Sequence, residues 1–292
     1  MKVIVTGGTG QIGSVVQSHL RSLGWEVTDV SRSGTVRADL ASTDFAERVA
    51  NEVKWCDAIV HCAASMAKGL TDHALAQVNG AGTQEVIRLA ALTGAGQLIY
   101  LSSVPVIGQP QCLPIAEEHP THPLTAYHAS KLFGEQLVRL AGSPALKTAS
   151  LRLTSPIGPG TPPGRIFSEF VGRARRGEPL MLAGQGGRRQ NYVDVRDIAQ
   201  AAGQCLRSKA AGIFNVAGAT AVSNLELAHR CIKTLGSSSS ITFSGASDPE
   251  ENLTWDVSIE KARQSFGYRP IHPLEDSVRA FADSAHESSR PQ

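Results

Sequence analysis

Apolar residues along this chain fall into two rhythms that take turns. Val3-Ile4-Val5 is a short β-branched run bounded by glycine, the pattern of a buried parallel strand. Ile12, Val15, Val16, His19 and Leu20 then recur at helical spacing, so the chain opens with a strand, a glycine turn and a helix. "WEVTDV" predicts a second strand and "DAIVHCAA" a later one. "GTQEVIRLAALTG" predicts an amphipathic helix closed by Gly94, and "QLIYLSS" another buried strand. "AYHASKLFGEQLVRLAG" predicts a long helix ending at Gly142, followed by strand-like "TASLRLTSPIG". Such alternation means an α/β chain with a doubly wound parallel sheet, which binds ligands at the carboxyl ends of its strands.

Beyond Leu153 the texture changes. "SPIGPGTPPG" is dense in proline and glycine and reads as a loop, and the short elements after it, such as "SEFVGRARRG" and "GIFNVAG", keep no steady rhythm. The expected organisation is a dinucleotide-binding domain over 1–155 and a smaller C-terminal substrate-binding lobe over 156–292, with some lobe segments returning to the first domain. The tail from about His286 is expected to fray.

Composition narrows the class. A chain of 292 residues with 41% hydrophobic and 18% charged positions has ample core for a soluble globular protein. A formal charge of +2 offers no field for nucleic acid or an anionic membrane, and the clusters "RARRG" and "GGRRQ" read first as solvated surface. The five cysteines (Cys56, Cys62, Cys112, Cys205, Cys231) are odd in number, widely spaced and form no Cys-x-x-Cys, which suits reduced structural thiols in the cytoplasm. No signal peptide or membrane-length apolar stretch is visible.

Two stretches carry candidate chemistry. "VIVTGGTGQIGS" places Gly7, Gly8, Gly10 and Gly13 at the strand-to-helix turn, where backbone N–H groups at a helix N-terminus can face a pyrophosphate. It fails as a nucleoside-triphosphate loop, because Ser14 stands where that motif needs lysine. In "YHASK", Tyr127 and Lys131 are four apart and project from one helix face, so an ammonium beside a phenol would lower its pKa and fit it for proton transfer. Ser103, ending the "LSS" strand, could donate to the same substrate oxygen. A bare glycine triplet could be a flexible turn, but the strand before it and the helix after it favour a dinucleotide site, whereas Tyr-x-x-x-Lys taken alone is equally a tyrosine packed along an amphipathic helix. Their order along the chain gives them weight.

In that order they resemble the extended short-chain dehydrogenase/reductase family of the NAD(P)-dependent epimerase/dehydratase type. "TGGTGQIG" resembles its cofactor turn, "ADL" its adenine-contacting aspartate (Asp39, with Leu40), and "HCAA" the end of its fourth strand, including Ala63 and Ala64. "VNGAGT" carries its helix asparagine, Asn79, and "LSSVPVIG" and "YHASK" resemble its serine motif and catalytic helix. "LRLTSPIGPG", "GQGGRRQNYVDVRDIA", "IFNVAG" and "VSIEKARQSFGYRP" resemble its later signatures.

The resemblance implies a Rossmann-type fold and a hydride-transfer enzyme. Tyr127 would be the acid/base, Ser103 would polarise the substrate oxygen, Lys131 would tune Tyr127 and hold the nicotinamide ribose, and Asn79 would support a proton path. Gly7, Gly10, Gln11, Ile12, Gly13, Ser31, Arg32, Asp39, Leu40, Ala63, Ala64, Tyr127 and Lys131 would contact the cofactor. Ser65, Ser102, Val104, Thr154, Ser155, Arg189 and Gln190 would contact substrate. The resemblance also implies a homodimer through helices flanking the sheet, with Leu132 and Leu137 meeting the partner.

Departures from the family pattern refine these expectations. Ser31 and Arg32 stand where NAD-preferring members place an acid, and an arginine suits a 2′-phosphate, so NADP(H) is favoured with NAD(H) as the alternative. Asp29 lies two residues earlier, within the strand, and is discounted. Ser155 and Gln190 replace the asparagine and diphosphate arginine of nucleotide-sugar enzymes, leaving Arg188 or Arg189 as substitutes in a shifted register. Ile107 and His128 replace a tyrosine and a glycine.

"EEHPTHP" is broken by Pro120 and Pro123 and lacks zinc spacing, so no metal is expected, and no Gly-x-Ser-x-Gly elbow suggests a hydrolase. The leading expectation is a reductase of a keto-sugar or similar carbonyl compound, nucleotide-linked or not. Against it stand an epimerase and a non-catalytic NADP sensor on the same fold. Val104-Pro105, where dehydratases carry an acidic pair, disfavours dehydration.

Overall fold

The computed structural model describes residues 1–66 and 71–287. Its first strands are β1 (Lys2–Thr6), β2 (Glu26–Ser31), β3 (Val36–Arg37), β4 (Ala58–His61), β5 (Gln97–Ser103) and β6 (Lys147–Leu153). They are followed by β7 (Ser155–Ile157), β8 (Leu180–Leu182), β9 (Arg189–Asp194), β10 (Gly212–Val216), β11 (Ala221–Ser223), β12 (Ile241–Phe243) and β13 (Thr254–Trp255). The helices of the first half are α1 (Gln11–Ser22), α2 (Phe45–Val53), α3 (Asp72–Leu75), α4 (Gly82–Thr93) and α5 (Ala126–Ala141). Those of the second half are α6 (Ile166–Arg176), α7 (Val195–Ser208), α8 (Asn224–Leu235), α9 (Glu260–Phe266) and α10 (Leu274–Glu287). The tail beyond Glu287, expected to fray, lies outside the described residues.

Among the described residues a seven-stranded parallel sheet runs in the order β10-β6-β5-β4-β1-β2-β3. Side chains alternate across a strand, and both faces of this sheet are covered by helices. Val3 and Val5 of β1 therefore join Val16 and Leu20 of α1 and Ile198 of α7 on one face. Ile4 joins Phe45 of α2 and Val86 and Leu89 of α4 on the other. This is the doubly wound architecture the apolar rhythm predicts.

β6 passes through Thr154 straight into β7, which leaves the large sheet and pairs with β9. β9 also pairs with β11 and β13, while β8 and β12 form a separate two-stranded pair. α6, α8 and α10 close this lobe over Phe167, Phe170, Leu227 and Val278. The intervening α7 and β10 belong to the large sheet, since β10 pairs with β6. The chain thus crosses between the two parts more than once, and the carboxyl ends of the neighbouring parallel strands β1, β4, β5 and β6 lie together at one end of the sheet. Among the described residues no helix is long and apolar enough to cross a membrane, and no group of three or more His, Cys, Asp or Glu side chains could hold a metal ion.

Candidate active site and cofactor crevice

The glycine turn is dictated by close backbone approach. Gly7 has φ +69°, and a Cβ there would lie 2.7 Å from Cα of Ala63 at the end of β4. A Cβ on Gly13 would overlap the Gly7 carbonyl oxygen, so α1 can pack against the turn only with glycine at that position. Gly10 is the N-cap of α1 and no side chain caps the helix, which leaves the N–H groups of the first turn available to a pyrophosphate. Gly7, Gly10, Gly13 and Ala63 are therefore brought together, with Ile12 packed partly against the core and Ala64 exposed beyond Ala63. The Gln11 side chain instead donates to Thr161 Oγ1 at 3.1 Å, tying the turn to the loop that leads into the lobe.

At the other end of the crevice, Ser31 ends β2 and its hydroxyl accepts from Thr9 Oγ1 at 3.3 Å. Arg32 is exposed in the turn that follows. Asp29 proves closer to the turn than its place in the strand suggested. It is buried between Gly8 and Gly34, and its Oδ1 has no hydrogen-bond partner. Asp39 accepts from the N–H of Ala41 at 3.0 Å, and the buried Leu40 side chain packs on Gly82 at the start of α4.

Ser103 ends β5, half-buried, and Tyr127 and Lys131 lie one turn apart on α5, which is capped by Thr125 through the His128 N–H. Burial pushes the Tyr127 phenol up to about 12, and the cation that pulls it back is Arg165, not Lys131. Nothing in the sequence pattern singles out Arg165. Lys131 is 3% exposed, and its ammonium lies 4.2 Å from the centroid of the Tyr100 ring. Burial lowers Lys131 to about 7, opposed by Cys62 and Glu135. Lys131 thus faces an aromatic ring, from the same helix face as Tyr127. The residues fit a dinucleotide: an uncapped helix end for its pyrophosphate, and an ammonium outside any ion pair among the described residues for its ribose.

Asn79 lies in a π-helical turn, Ala76–Ala81, of the kind often found at functional sites. Its side chain is fully engaged. Oδ1 accepts from the Ser65 N–H at 2.7 Å, and Nδ2 donates to the Ser65 carbonyl and to Ser130 Oγ. Ser130 in turn donates to the Tyr127 carbonyl at 2.7 Å. Asn79 therefore fastens the loop after β4 to the helix that carries Tyr127. Beneath it, His61 Nδ1 accepts from Thr6 Oγ1 at 2.7 Å and Nε2 donates to Thr83 Oγ1, whose own proton goes to the Asn79 carbonyl. Such an imidazole is neutral, and burial lowers its pKa to about 3.

On the lobe side the expected substrate residues separate. Ser155 Oγ donates to Gln190 Oε1 at 2.8 Å, and Gln190 Nε2 donates to Tyr192 Oη at 2.7 Å, forming a neutral relay. Arg189 lies on the opposite face of β9, where it bonds the Ala221 carbonyl and pairs with Glu226. Strand alternation puts Arg188 on the Gln190 face instead, paired with Glu250 at 2.5 Å. Ser102 and Thr154 are buried with unpartnered hydroxyls. The side chain of Val104, expected to contact substrate, points into the core. It is 1% exposed and packs with Val106, Ile107, Ile115 and Ala217.

Residues 3–217 match the NAD dependent epimerase/dehydratase family. A dTDP-glucose 4,6-dehydratase from Streptomyces niveus is 27% identical over 308 residues, covering 95% of this chain and 90% of that protein. A 2-alkyl-3-oxoalkanoate reductase from Stenotrophomonas maltophilia (strain K279a) is 27% identical over 345 residues, covering 98% of this chain and 99% of that protein. The structure of a UDP-glucose 4-epimerase from Thermus thermophilus in complex with NAD superposes with a TM-score of 0.84 at 25% identity, over 98% of this chain and 99% of that one. The glycine turn and the tyrosine–lysine helix both lie within the matched residues 3–217: the chain belongs to the NAD dependent epimerase/dehydratase family and is an enzyme of the extended short-chain dehydrogenase/reductase type.

Proposed function

We propose that the enzyme reduces a carbonyl, or oxidises the matching hydroxyl, on a sugar or similar small molecule with net turnover of its nicotinamide cofactor. The observation that carries this reading is the placement of Tyr127 and Lys131 one turn apart on one face of α5, the helix that packs on β5 through Lys131 and Tyr100, with Ser103 ending β5. When bound, a nicotinamide cofactor would supply or accept the hydride. Tyr127, held protonated with its pKa at about 12, donates a proton to the oxygen of a carbonyl undergoing reduction. Ser103 would donate a hydrogen bond to the same oxygen, and Lys131 would hold the cofactor ribose. Asn79 and Ser130 hold the helix in register with the Ser65 loop. The name of the Stenotrophomonas relative gives a precedent for net reduction within the family.

Epimerisation is the second reading, favoured by the likeness to UDP-glucose 4-epimerase. The two part on one assay. Stoichiometric change in absorbance at 340 nm with a panel of keto-sugars and simple ketones supports the reductase. Substrate isomerisation with no net cofactor change overturns it.

The family is NAD dependent. We infer further that Arg32, exposed and free of any acid partner among the described residues, lets this member take NADP(H). A homodimer through α4 and α5 is proposed on the apolar surface these helices leave open. Phe133 is 55% exposed and Leu140 69%, whereas Leu132 and Leu137 are half-buried. The five free thiols suit a cytoplasmic enzyme.

A further inference from the structure

The lobe edge of the cleft has an unusual charge arrangement for a family rich in nucleotide-sugar enzymes. The loop 184–187, Gly-Gln-Gly-Gly, has φ +57° at Gly184 and +74° at Gly186, and it turns the alternate N–H groups of Gln185 and Gly187 toward one carboxylate, while the Gly184 N–H bonds the Ala246 carbonyl. Such a nest is built to hold an anion. Here the anion is the chain's own: the Glu251 carboxylate accepts from the N–H of Gly187 at 2.6 Å and of Gln185 at 3.1 Å. A Cβ on Gly184 or Gly187 would overlap that carboxylate, so these glycines are there for Glu251. The neighbouring Glu250 pairs with Arg188, the cation on the Gln190 face of β9. Glu226 takes Arg189 on the other face. What remains unpaired by charge between them is the Ser155–Gln190–Tyr192 relay of hydroxyl, amide and phenol.

A diphosphate arriving at this edge would find its N–H nest filled and both cations already paired with acids. Half-exposed ion pairs are weak enough to be displaced, because water screens their attraction. Displacement, however, leaves Glu226, Glu250 and Glu251 beside a doubly charged ligand, so like-charge repulsion replaces the attraction. A neutral relay has the opposite preference: it exchanges hydrogen bonds with hydroxyls and carbonyls at no charge penalty.

We infer that the substrate is an uncharged polyhydroxy carbonyl compound, a free sugar or sugar-derived ketone or lactone, and that Glu250 and Glu251 exclude nucleoside-diphosphate-linked substrates. The inference rests on the hydride-transfer reading and narrows its substrate class.

The test is calorimetric titration of UDP and dTDP into the enzyme saturated with reduced cofactor. No heat of binding is expected at ligand concentrations up to about 1 mM, and a dissociation constant below about 100 μM for either nucleotide overturns the inference. The double variant Glu250→Gln/Glu251→Ala frees Arg188 and empties the nest, so UDP binding should strengthen at least tenfold, roughly the lower worth of one charge-assisted contact. An unchanged affinity in that variant overturns the assignment of the two acids as the excluding device. The cofactor titration that precedes these measurements keeps the layers apart. Absence of NAD(P)H binding would sink the hydride-transfer reading itself, whereas nucleotide binding to a cofactor-loaded enzyme sinks only the substrate class.

Discussion

The helix that carries Tyr127 is held to the sheet by one buried ion pair, and removing half of it should be costly. Glu135 lies one turn beyond Lys131 on α5, with its side chain 0% exposed. It accepts from Arg152 of β6 at 2.7 Å from Nη2 and 3.0 Å from Nε, a bidentate pair in which the arginine side chain is 4% exposed. The remaining donor, Nη1, goes to the Glu117 carbonyl at 3.0 Å, and the Glu117 carboxylate accepts the N–H of Asn215 on β10. Every arm of the guanidinium is thus committed. Glu135→Ala would leave that charge buried and uncompensated, a loss of about 3–5 kcal/mol. At roughly 2–4 °C per kcal/mol, the midpoint should fall by about 6–20 °C in a thermal melt followed by circular dichroism. Replacing both partners, Glu135→Met with Arg152→Met, removes the charges together and should recover most of the loss. A single variant within about 1 kcal/mol of the parent, or a double variant no better than either single, would refute the reasoning.

Other consequences are as direct. Arg32→Ala should weaken NADPH binding by roughly ten- to a hundredfold and leave NADH nearly unchanged, and equal losses in fluorescence titrations of both would remove the 2′-phosphate contact. His61, lowered to about 3 in the fold against 6.5 unfolded, binds its proton only in the unfolded chain between those values, so stability falls as pH drops through that window. The effect is worth about 2–3 kcal/mol near pH 4.5, and urea unfolding of His61→Gln should show a flatter pH dependence over that range. Phe133→Asp should convert a dimer to monomer in sedimentation velocity with the thermal midpoint of the fold nearly kept, and an unmutated chain that is monomeric at micromolar concentration contradicts the dimer outright.

Much of the fold could be read along the chain because the two periods, two and 3.6, each leave a distinct apolar pattern. The glycine turn and the Tyr127–Lys131 pair were equally legible, since each is a local spacing on one turn or one helix face. What escaped depends on parity or on long-range folding. That Arg188, and not Arg189, shares a face with Gln190 follows from strand alternation only once this stretch is known to be extended, and strand boundaries leave no sharp mark in sequence. Val104 follows a strand end that looks cleft-facing, yet the 3₁₀ turn after Ser103 swings it into the core. Arg165 emerges from a proline-glycine loop with no periodicity to place it, and Gln11 meets Thr161 across 150 residues. Tyr100, the ring beneath Lys131, is indistinguishable in sequence from any other buried strand aromatic. Glu251 and its nest were hidden for the same reason, being joined only when β13 pairs with β9.

The central claim is that Tyr127 moves the proton while the rest of the crevice binds the cofactor. Its most direct test is Tyr127→Phe, measured twice: steady-state turnover at 340 nm, and cofactor affinity by fluorescence titration. The phenylalanine keeps the ring that packs at 5.2 Å from His128 and leaves Lys131 and the glycine turn untouched. Turnover should fall by about 10²–10⁴-fold with the dissociation constant for the cofactor held within about twofold. Near-normal turnover would contradict the account.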